Sequence, residues 1–319
     1  MQVITSLDGP IWPRERSILT IGTYDGLHRG HLSVIDQVIE LARERGCRSA
    51  VVTFDPHPAV VVRPESAPRL LTTVEQRLEL LEQTGIDAVV VLPFDESAAS
   101  EEAEDFVQRV FVDALGVSTV VVGQDFHFGR LRRGDVALLT ELGAAADFSV
   151  VPVELCALDG VGVISSTAIR RAVSDGRLDE AKAMLGRDVE VAGVVITGDQ
   201  RGRTIGFPTA NLDLGERYLV PADGVYAGIC TLPDGSTHEC AVNIGRRPTF
   251  YAAADRSLVE AHLLDFDGDL YGQHLRVRLI GRIRDERRFD GLDELIAQLD
   301  LDIASTRHMT GVVGSADGS

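Results

Sequence analysis

Cysteine is scarce in this sequence, and the four cysteines that occur are far apart. They are Cys47, Cys156, Cys230 and Cys240 in a chain of 319 residues. No two of them have the close spacing that is typical of a zinc site or a redox pair. We therefore predict reduced, structural thiols, as is usual in a reducing compartment.

Long apolar runs and a leader segment are missing as well. The N-terminus, MQVITSLDGP, has no basic region followed by an apolar stretch, which a secretory signal would need. No run comes near the roughly 18 apolar residues that a membrane-spanning helix requires. These two absences predict a cytoplasmic protein that does not bind or enter the membrane.

Positive charge is also in short supply. Lys and Arg number 31 against 49 Asp and Glu, which gives a formal net charge of -18. This balance opposes nucleic acid and anionic membranes as partners, because binding them depends on neutralising phosphates with Lys and Arg. The negative net charge still allows a small anion to bind at the arginine-rich stretches 129–135 or 168–173. Such stretches more often lie on a solvated surface. A weak or transient homo-oligomer is also compatible with the sequence.

Apolar runs that alternate with helical patterns fill the first half of the chain. Predicted strands occupy 17–22, 49–54, 87–92, 118–122 and 148–153. Predicted helices occupy 31–45, 73–83, 135–142 and a segment with Ser100 as its N-cap that ends at Leu115. This alternation is typical of a doubly wound parallel sheet with helices on both faces. Ligands of such sheets bind beyond the carboxyl ends of the strands.

The pattern changes after Gly186. Val- and Ile-rich runs are now separated by Gly, Pro and Asp turns, and TLPDGSTHE (231–239) has the alternation and turn residues of a hairpin. We predict an antiparallel β-barrel with a terminal helix at 292–308 and a short flexible tail. The sequence thus predicts two domains, residues 1–186 and 187–319, each with a core of its own.

A glycine-rich turn with two histidines, GTYDGLHRGH, connects the first predicted strand to the first predicted helix. Its glycines, Gly22 and Gly30 among them, would let the backbone approach a ligand closely. Backbone amides at the start of a helix favour an anion, and His28 and His31 would add two donors of adjustable charge. Paired histidines at a helix start are also frequent as structural or solvated residues, so the spacing alone does not decide.

A second helix start, ISSTAIRRAV (164–173), combines hydroxyl groups with an arginine. Its capping candidates are Ser165, Ser166 and Thr167, and Arg170 follows one turn later. Hydroxyls, backbone amides and a guanidinium that converge there could hold a triphosphate. The alternative is a plain capped helix with a surface arginine.

Four segments in this order resemble the FMN adenylyltransferase half of the prokaryotic bifunctional riboflavin kinase/FAD synthetases, which are HxGH nucleotidyltransferases. They are GTYDGLHRGH, TFDPHP, GQDFHFGRLRRGD and ISSTAIR. Tyr24 is a mild departure, because the family often has Phe there. The resemblance implies attack of the FMN phosphate on the α-phosphorus of ATP, which yields FAD and pyrophosphate. That phosphate is mostly ionised near neutral pH, so the step needs positioning and charge stabilisation rather than a general base.

The resemblance also implies roles for individual residues of the first half. The charge that develops at the α-phosphate would be stabilised by His28 and His31. The binding turn would include Gly22, Asp25 and Gly30. The departing pyrophosphate would be held by Ser165, Ser166, Thr167 and Arg170, with Mg²⁺ bridging the phosphates. The candidates for stacking on the isoalloxazine ring are Phe54, Phe126 and Phe128, each of which is as readily a core residue. A polar ligand contact is expected from Asp125, where the family carries Asn or Asp.

In the second half, the segment GDQRGRTIGFPTANL (198–212) follows the first predicted barrel strand. Thr209 and Asn211 lie two residues apart, on one side of an extended chain, and offer the hard oxygen ligands that suit Mg²⁺ beside nucleotide phosphates. The glycines of 198–206 predict a lid over ATP. The alternative is a turn with ordinary polar residues.

Four further segments resemble the riboflavin kinase module of the same family, over nearly all of 187–305. They are GFPTANL, PADGVYAG, NIGRRPTF and VEAHLLDFDGDLYG. By this resemblance the residues around Mg-ATP are Gly202, Gly206, Pro208, Thr209 and Asn211, and Glu260 is the general base for the ribityl 5′-hydroxyl. An alcohol, unlike the FMN phosphate, gains from such a base. A Glu in an alternating strand is, however, usually solvent-facing.

The sequence predicts one chain with two sequential activities, in which ATP is the co-substrate and riboflavin, FMN and FAD are substrates and products. One alternative keeps the nucleotidyltransferase with another acceptor, such as nicotinamide mononucleotide or phosphopantetheine, but those acceptors would not call for the FPTAN barrel. Another alternative is a flavin-binding storage or regulatory protein without turnover. Such a protein has no need of transition-state donors, so the presence of both motif sets weighs against it.

Overall fold

The structure, a computed structural model, describes residues 1–154, 156–198, 202, 205–246 and 257–314. The chain divides into two compact units, Met1–Ser166 and Thr167–Ser319. The domain boundary expected between residues 186 and 187 stays a prediction. Among the helices of the described ranges, none combines the length and the apolar character needed to cross a bilayer.

A six-stranded parallel sheet forms the centre of the first unit, as the sequence predicts. The strands are β1 (Gln2–Ile4), β2 (Ser17–Ile21), β3 (Arg48–Asp55), β4 (Ala88–Pro93), β5 (Val117–Gly123) and β6 (Ser149–Val153). They lie in the order β1-β4-β3-β2-β5-β6. Five of them match predicted strands, and the short edge strand β1 was not predicted.

Helices cover both faces of this sheet. They are α1 (Arg29–Arg45), α2 (Pro58–Val62), α3 (Val74–Glu82), α4 (Glu96–Ser100), α5 (Ala103–Phe106), which continues as a π-helix (Val107–Ala114), and α6 (Val136–Ala145). Successive strand residues therefore join different cores: Ile18 packs in one core with Ile35 of α1, and Leu19 in the other with Phe111. Burial on both sides explains why the strands are continuous apolar runs.

The prediction that Ser100 is an N-cap is wrong. Ser100 is the last residue of α4, and its hydroxyl donates to the backbone oxygen of Glu96 at 2.8 Å. Asp95 caps α4 instead, because its carboxylate accepts from the Ala98 N–H at 2.8 Å. The polar stretch before α5 thus forms a short helix of its own.

A closed antiparallel barrel forms the second unit, and this prediction is confirmed. Its strands are β9 (Val189–Ile196), β10 (Ala210–Asp213), β11 (Gly224–Thr231), β12 (Thr237–Arg246), β13 (Ser257–Leu263) and β14 (His274–Arg284). A small hairpin of β7 (Ala157–Leu158) and β8 (Gly162–Val163) ends the first unit, and the helices α7 (Ser166–Ser174) and α8 (Leu178–Leu185) precede the barrel. The barrel order is β10-β13-β12-β11-β14-β9. The predicted hairpin joins β11 to β12, with Thr231 opposite Thr237.

The terminal helix, α9 (Leu292–Gly314), packs against the barrel and runs further than predicted, into the segment expected to be a tail. A buried ion pair holds it there. The Asp302 carboxylate, 2% exposed, accepts from Nε and Nη2 of Arg284 on β14 at 2.9 and 2.8 Å. Gln298 donates a further hydrogen bond to Asp302 at 2.8 Å.

Removing Asp302 is expected to destabilise this unit strongly. Asp302→Ala leaves the Arg284 guanidinium without its buried partner, which costs about 3 kcal/mol. Urea unfolding followed by circular dichroism measures the loss. Asp300→Ala, on an exposed residue of the same helix, is the matched control and is expected to leave stability unchanged. Equal effects of the two substitutions would contradict the role of the ion pair.

Candidate active sites

The first candidate site lies at the carboxyl edge of the parallel sheet. The strand order reverses at β2, which pairs with β3 on one side and with β5 on the other. Loops from these three strands, residues 22–28, 56–57 and 124–129, meet this edge of the sheet. Open α/β sheets bind their ligands at such a point.

His28 and His31 form a reciprocal cap at the start of α1. Nδ1 of His28 accepts from the His31 N–H at 3.3 Å, and Nδ1 of His31 accepts from the His28 N–H at 3.4 Å. The rings are stacked, with centroids 3.5 Å apart and planes 14° apart. A Cβ at Gly30 would lie 3.3 Å from the His28 ring, so the glycine leaves room for it.

This geometry decides which ring nitrogens carry protons. An Nδ1 that accepts from a backbone N–H is unprotonated, so in each neutral ring the proton is on Nε2. The cap therefore holds two imidazoles with Nε2 as the donor atom, next to the backbone amides of a 17-residue helix. Donors and helix dipole together suit an anion.

Buried contacts hold the turn that carries the two histidines. Tyr24 is 3% exposed and has a positive φ of 50°. Its hydroxyl lies 2.6 Å from Oγ1 of Thr20, its ring meets the edge of His31 at 4.9 Å, and burial raises the pKa of its phenol. The Asp25 carboxylate accepts from the N–H groups of Leu71 and Thr72 at 2.9 and 3.1 Å. The ligand contact predicted for Asp25 stays a prediction beside this bonding.

Arg77 of α3 also holds the site, and sequence reasoning missed it. The side chain is 6% exposed. Its two terminal nitrogens donate to the backbone oxygens of Thr23 and Phe54, at 2.6 and 3.1 Å. It thereby ties the loop after β2 to the end of β3. The available signal was its spacing, because Arg77 precedes the buried Leu81 by four residues on the same helix face.

The three phenylalanines predicted to contact flavin differ in burial. Phe128 is 8% exposed and belongs to the core, where it packs beside Phe106. Phe54 and Phe126 are partly buried at the edge of that core, and the Phe126 ring stacks on Phe128 at 5.4 Å. Asp125 is exposed in the same loop.

The serines of the second predicted phosphate segment lie beside the histidine turn. The Ser166 hydroxyl donates to the backbone oxygen of Asp25 at 2.9 Å. Ser165 and Ser166 are half-buried. Thr167 and Arg170 belong to the second unit, on the helix that begins at Ser166. Gly22 begins the histidine turn and donates its N–H to the Val52 oxygen at 3.0 Å.

The second candidate site is a cavity of about 440 Å³ on the outer face of the barrel. It is lined by residues of β10, β12 and β13, by the segment 284–289, by the segment 202–209 and by α9. Val259, Ala261 and Leu263 of β13 are buried, and the alternate residues Glu260 and His262 line the cavity. Residues 199–201 and 203–204 of the predicted lid, and 247–250 of NIGRRPTF, lie outside the described residues.

Strand register places three polar side chains next to one another in this cavity. Asn211 of β10 is opposite Glu260 of β13, and Glu260 is opposite Asn243 of β12. All three line the cavity. Glu260 therefore lies between two amides, in a cavity that residues of α9 also line.

Asn211 carries an unused oxygen. The residue is 5% exposed, and its buried Oδ1 has no hydrogen-bond partner among the described residues. Thr209, two residues earlier, also lines the cavity. The preceding turn is compact: the Phe207 N–H donates to the Gly202 oxygen at 2.9 Å, Gly206 has a positive φ of 88°, and Pro208 is exposed. A buried amide oxygen without a donor suits a cation.

Glu286 is another carboxylate that lines the cavity, and sequence reasoning missed it. It lies so close to the backbone of β12 that a Cβ at Gly245 would overlap its carboxylate. Partial burial, followed by the charges of Asp223 and Glu260, raises its pKa. Glu286 follows β14 and is far from the PTAN motif in sequence, so no local sequence pattern indicates that it belongs to this cavity.

Comparison with known proteins gives matches over both units. The FAD synthetase family model matches residues 12–168, and the riboflavin kinase family model matches residues 185–310. The bifunctional riboflavin kinase/FMN adenylyltransferase of Escherichia coli K12 is 39% identical over 310 residues, which cover 95% of this chain and 96% of that protein. The protein of the same name from Bacillus subtilis is 36% identical over 290 residues, 90% of each chain.

A solved structure has the same fold. The crystal structure of a Streptococcus pneumoniae protein named Macrolide-efflux Protein superposes with a TM-score of 0.84 at 31% sequence identity. The match covers 96% of this chain and 99% of that chain.

Proposed function

This chain belongs to the bifunctional riboflavin kinase/FMN adenylyltransferase family, and from that premise we propose how its residues carry out the two reactions. The C-terminal kinase module phosphorylates riboflavin with ATP and releases ADP. The N-terminal adenylyltransferase module joins the product, FMN, to the AMP part of ATP and releases pyrophosphate.

In the adenylyltransferase site, His28 and His31 stabilise the charge on the α-phosphate. An oxygen of the FMN phosphate forms a bond to the α-phosphorus while the bond from that phosphorus to the bridging oxygen breaks. Negative charge grows on the α-phosphate and on the leaving pyrophosphate. The Nε2–H groups of the capped imidazoles are fixed before the reaction, so they stabilise this charge without reorganising.

The hydroxyls of Ser165 and Ser166 would hold the pyrophosphate, and the same role for Thr167 and Arg170 stays a prediction from the sequence. The hydrogen bond from Ser166 to Asp25 supports this role, because it keeps the serine segment against the histidine turn. For the flavin ring, Phe54 and Phe126 are the stronger candidates, since Phe128 is already used in the core. Asp125 is exposed beside them and would make the polar contact.

In the kinase site, Glu260 is the general base. Its carboxylate would accept the proton of the ribityl 5′-hydroxyl as that oxygen attacks the γ-phosphorus and ADP leaves. The observation that carries the assignment is the register that places Glu260 directly between Asn211 and Asn243 on the cavity face. A glutamate without a functional role on the outer face of a barrel would usually face open solvent, whereas Glu260 lines a cavity.

The donor set of this cavity fits a magnesium ion bound with the nucleotide. No described residue donates to the buried Oδ1 of Asn211, and Thr209 adds a hydroxyl two residues away. Oxygen ligands beside phosphates are what Mg²⁺ prefers. Bound Mg²⁺ would neutralise charge on the phosphates. Thr209 and Asn211 would hold it, and Glu260 is the residue opposite Asn211 in the strand register.

Both reactions consume ATP, and we place them in the cytoplasm, where ATP is made. ATP, riboflavin, FMN and FAD are the partners that the activities require. The absence of nucleic-acid and membrane partners, and a weak or transient homo-oligomer, stay predictions from composition.

A time course with the purified chain, riboflavin, ATP and Mg²⁺ tests the proposed function. Flavins are separated by chromatography. FMN is expected first and FAD after it. If riboflavin stays unchanged but supplied FMN becomes FAD, only the adenylyltransferase assignment survives. If neither flavin changes, both assignments fail, and the alternative of a flavin-binding protein without turnover is favoured.

Asn211→Leu is expected to stabilise the second unit while it abolishes FMN formation. Leucine has a similar volume and removes a buried oxygen that has no hydrogen-bond partner in the described part of the chain, which is worth about 1 kcal/mol and about 3 °C in Tm. It also removes a ligand for the metal. Thermal unfolding and initial rates of FMN formation are measured together. Asn243→Leu, in the same cavity but without an orphaned oxygen, is the control and should give no such stabilisation. A clear fall in Tm for Asn211→Leu would contradict the argument.

A further inference from the structure

His262 is a histidine of the barrel cavity to which neither reaction above assigns a task. It follows Glu260 by two residues on β13, so it lies on the same, cavity-facing side of the strand. Its Nδ1 is 2.7 Å from the backbone oxygen of Pro208. Its ring lies against Phe207, with centroids 5.6 Å apart. His262 thus contacts the segment that leads into β10.

The hydrogen bond fixes the tautomer of the ring. A backbone carbonyl oxygen only accepts, so Nδ1 of His262 carries the proton and donates it to Pro208. In the neutral ring Nε2 then has no proton. An asparagine side chain can imitate the donor at Nδ1, whereas a glutamine imitates Nε2.

The hydrogen bond from His262 also orients the peptide group between Pro208 and Thr209, which lies before the paired part of β10. Pairing of β10 with β13 begins at Ala210, opposite Ala261, and it already fixes Asn211 opposite Glu260. Thr209 comes before the first paired residue. The oxygen of Pro208 and the nitrogen of Thr209 belong to one planar peptide, so the bond from His262 sets the direction in which the chain enters Thr209.

We propose that His262 is a positioning residue of the kinase site, which holds the Pro208–Thr209 peptide so that the Thr209 hydroxyl faces the metal-nucleotide next to Asn211. The inference rests on the proposed function of Thr209, Asn211 and Glu260. Because His262 and Glu260 share one strand, this hydrogen bond links the base to the segment that holds the metal. Ligands of metals are commonly oriented by such supporting groups, whose loss costs about 10- to 100-fold in metal affinity or activity.

Three substitutions of His262 test the proposal. His262→Ala is expected to raise the KM for MgATP in FMN formation about tenfold and to raise the Mg²⁺ concentration needed for half-maximal rate. His262→Asn, which keeps a donor near Nδ1, should restore most of this loss, and His262→Gln should not. FAD formation from supplied FMN serves as the internal control and should be unchanged in all three.

Nitrogen NMR of the histidine rings gives a readout that does not depend on activity. The resonance that disappears in His262→Asn should belong to a ring protonated at Nδ1. A ring protonated at Nε2 would overturn the proposal even if His262→Ala fails to fold. Equal KM values for MgATP in His262→Asn and His262→Gln would also overturn the proposal. An unchanged KM for MgATP in His262→Ala would do the same.

The failure of this inference can be told from failure of the proposed function. If Asn211→Leu and Glu260→Gln keep FMN formation, the kinase site is wrongly assigned and the role of His262 falls with it. If those two variants lose FMN formation while His262→Ala keeps the KM of the unsubstituted chain, only the positioning role is overturned.

Discussion

Substituting alanine for His28 is expected to lower the rate of FAD formation from FMN and ATP by about 10³-fold while riboflavin is still converted to FMN. Loss of one preorganised donor to developing charge costs about 10²- to 10³-fold. The upper end is expected here because His28 also caps α1 and stacks on His31 at 3.5 Å. Initial rates of the two reactions, measured separately with FMN and with riboflavin supplied, check the result.

His28→Asn separates the donor role from the capping role. Asparagine is among the best N-cap residues, so α1 should begin as before and the Tm should be preserved. Its short side chain offers no donor where Nε2 lies. FAD formation should therefore stay as low as in His28→Ala. Recovery of the full rate in His28→Asn would show that the ring only caps the helix.

The fold could be predicted where burial leaves a periodic mark on the chain. Strands β2 to β5 are buried on both sides, so each contains an apolar run. β1 has only three residues at the sheet edge and two of them are exposed, so it leaves no such mark. The error at Ser100 has another cause, because Asp95 offers a competing cap five residues earlier. Several polar residues in a row allow more than one helix start.

The residues of the candidate sites also fall into those that a local pattern could predict and those that it could not. The histidine pair and the PTAN segment are local, and a resemblance carried by short motifs could find them. Arg77 and Glu286 act on residues far away in sequence, on Thr23 and Phe54 in one case and beside Glu260 in the other. Such contacts depend on how helices and strands pack against one another, which a local sequence pattern does not predict. A Glu in an alternating strand is expected to face open solvent, whereas Glu260 is half-buried and lines a cavity to which α9 and the segment after β14 also contribute.

Three carboxylates of the described residues line the barrel cavity, Glu260, Glu286 and Asp302. Asp302 is already paired with Arg284, and the choice of Glu260 over Glu286 as base has a geometric reason. Glu260 lies within the strand ladder between Asn211 and Asn243, so its backbone is fixed on both sides. Glu286 follows the end of β14 and is exposed. A general base must be held within hydrogen-bond reach of the proton that it accepts, which favours the residue inside the ladder.

Glu260→Gln is therefore expected to lower FMN formation by about 10²- to 10⁴-fold, the usual contribution of a positioned base, while FAD formation from supplied FMN is unchanged. Glutamine keeps the size and the hydrogen-bonding shape of the side chain but cannot take up the hydroxyl proton. Glu286→Gln, in the same cavity, is the matched control and should lose far less. If the two substitutions have equal effects, or if Glu286→Gln is the more harmful, the base is Glu286 or neither of them. Opposite losses in His28→Ala and Glu260→Gln would establish that each reaction has its own site on this chain, because neither variant could then be failing through a general loss of folding.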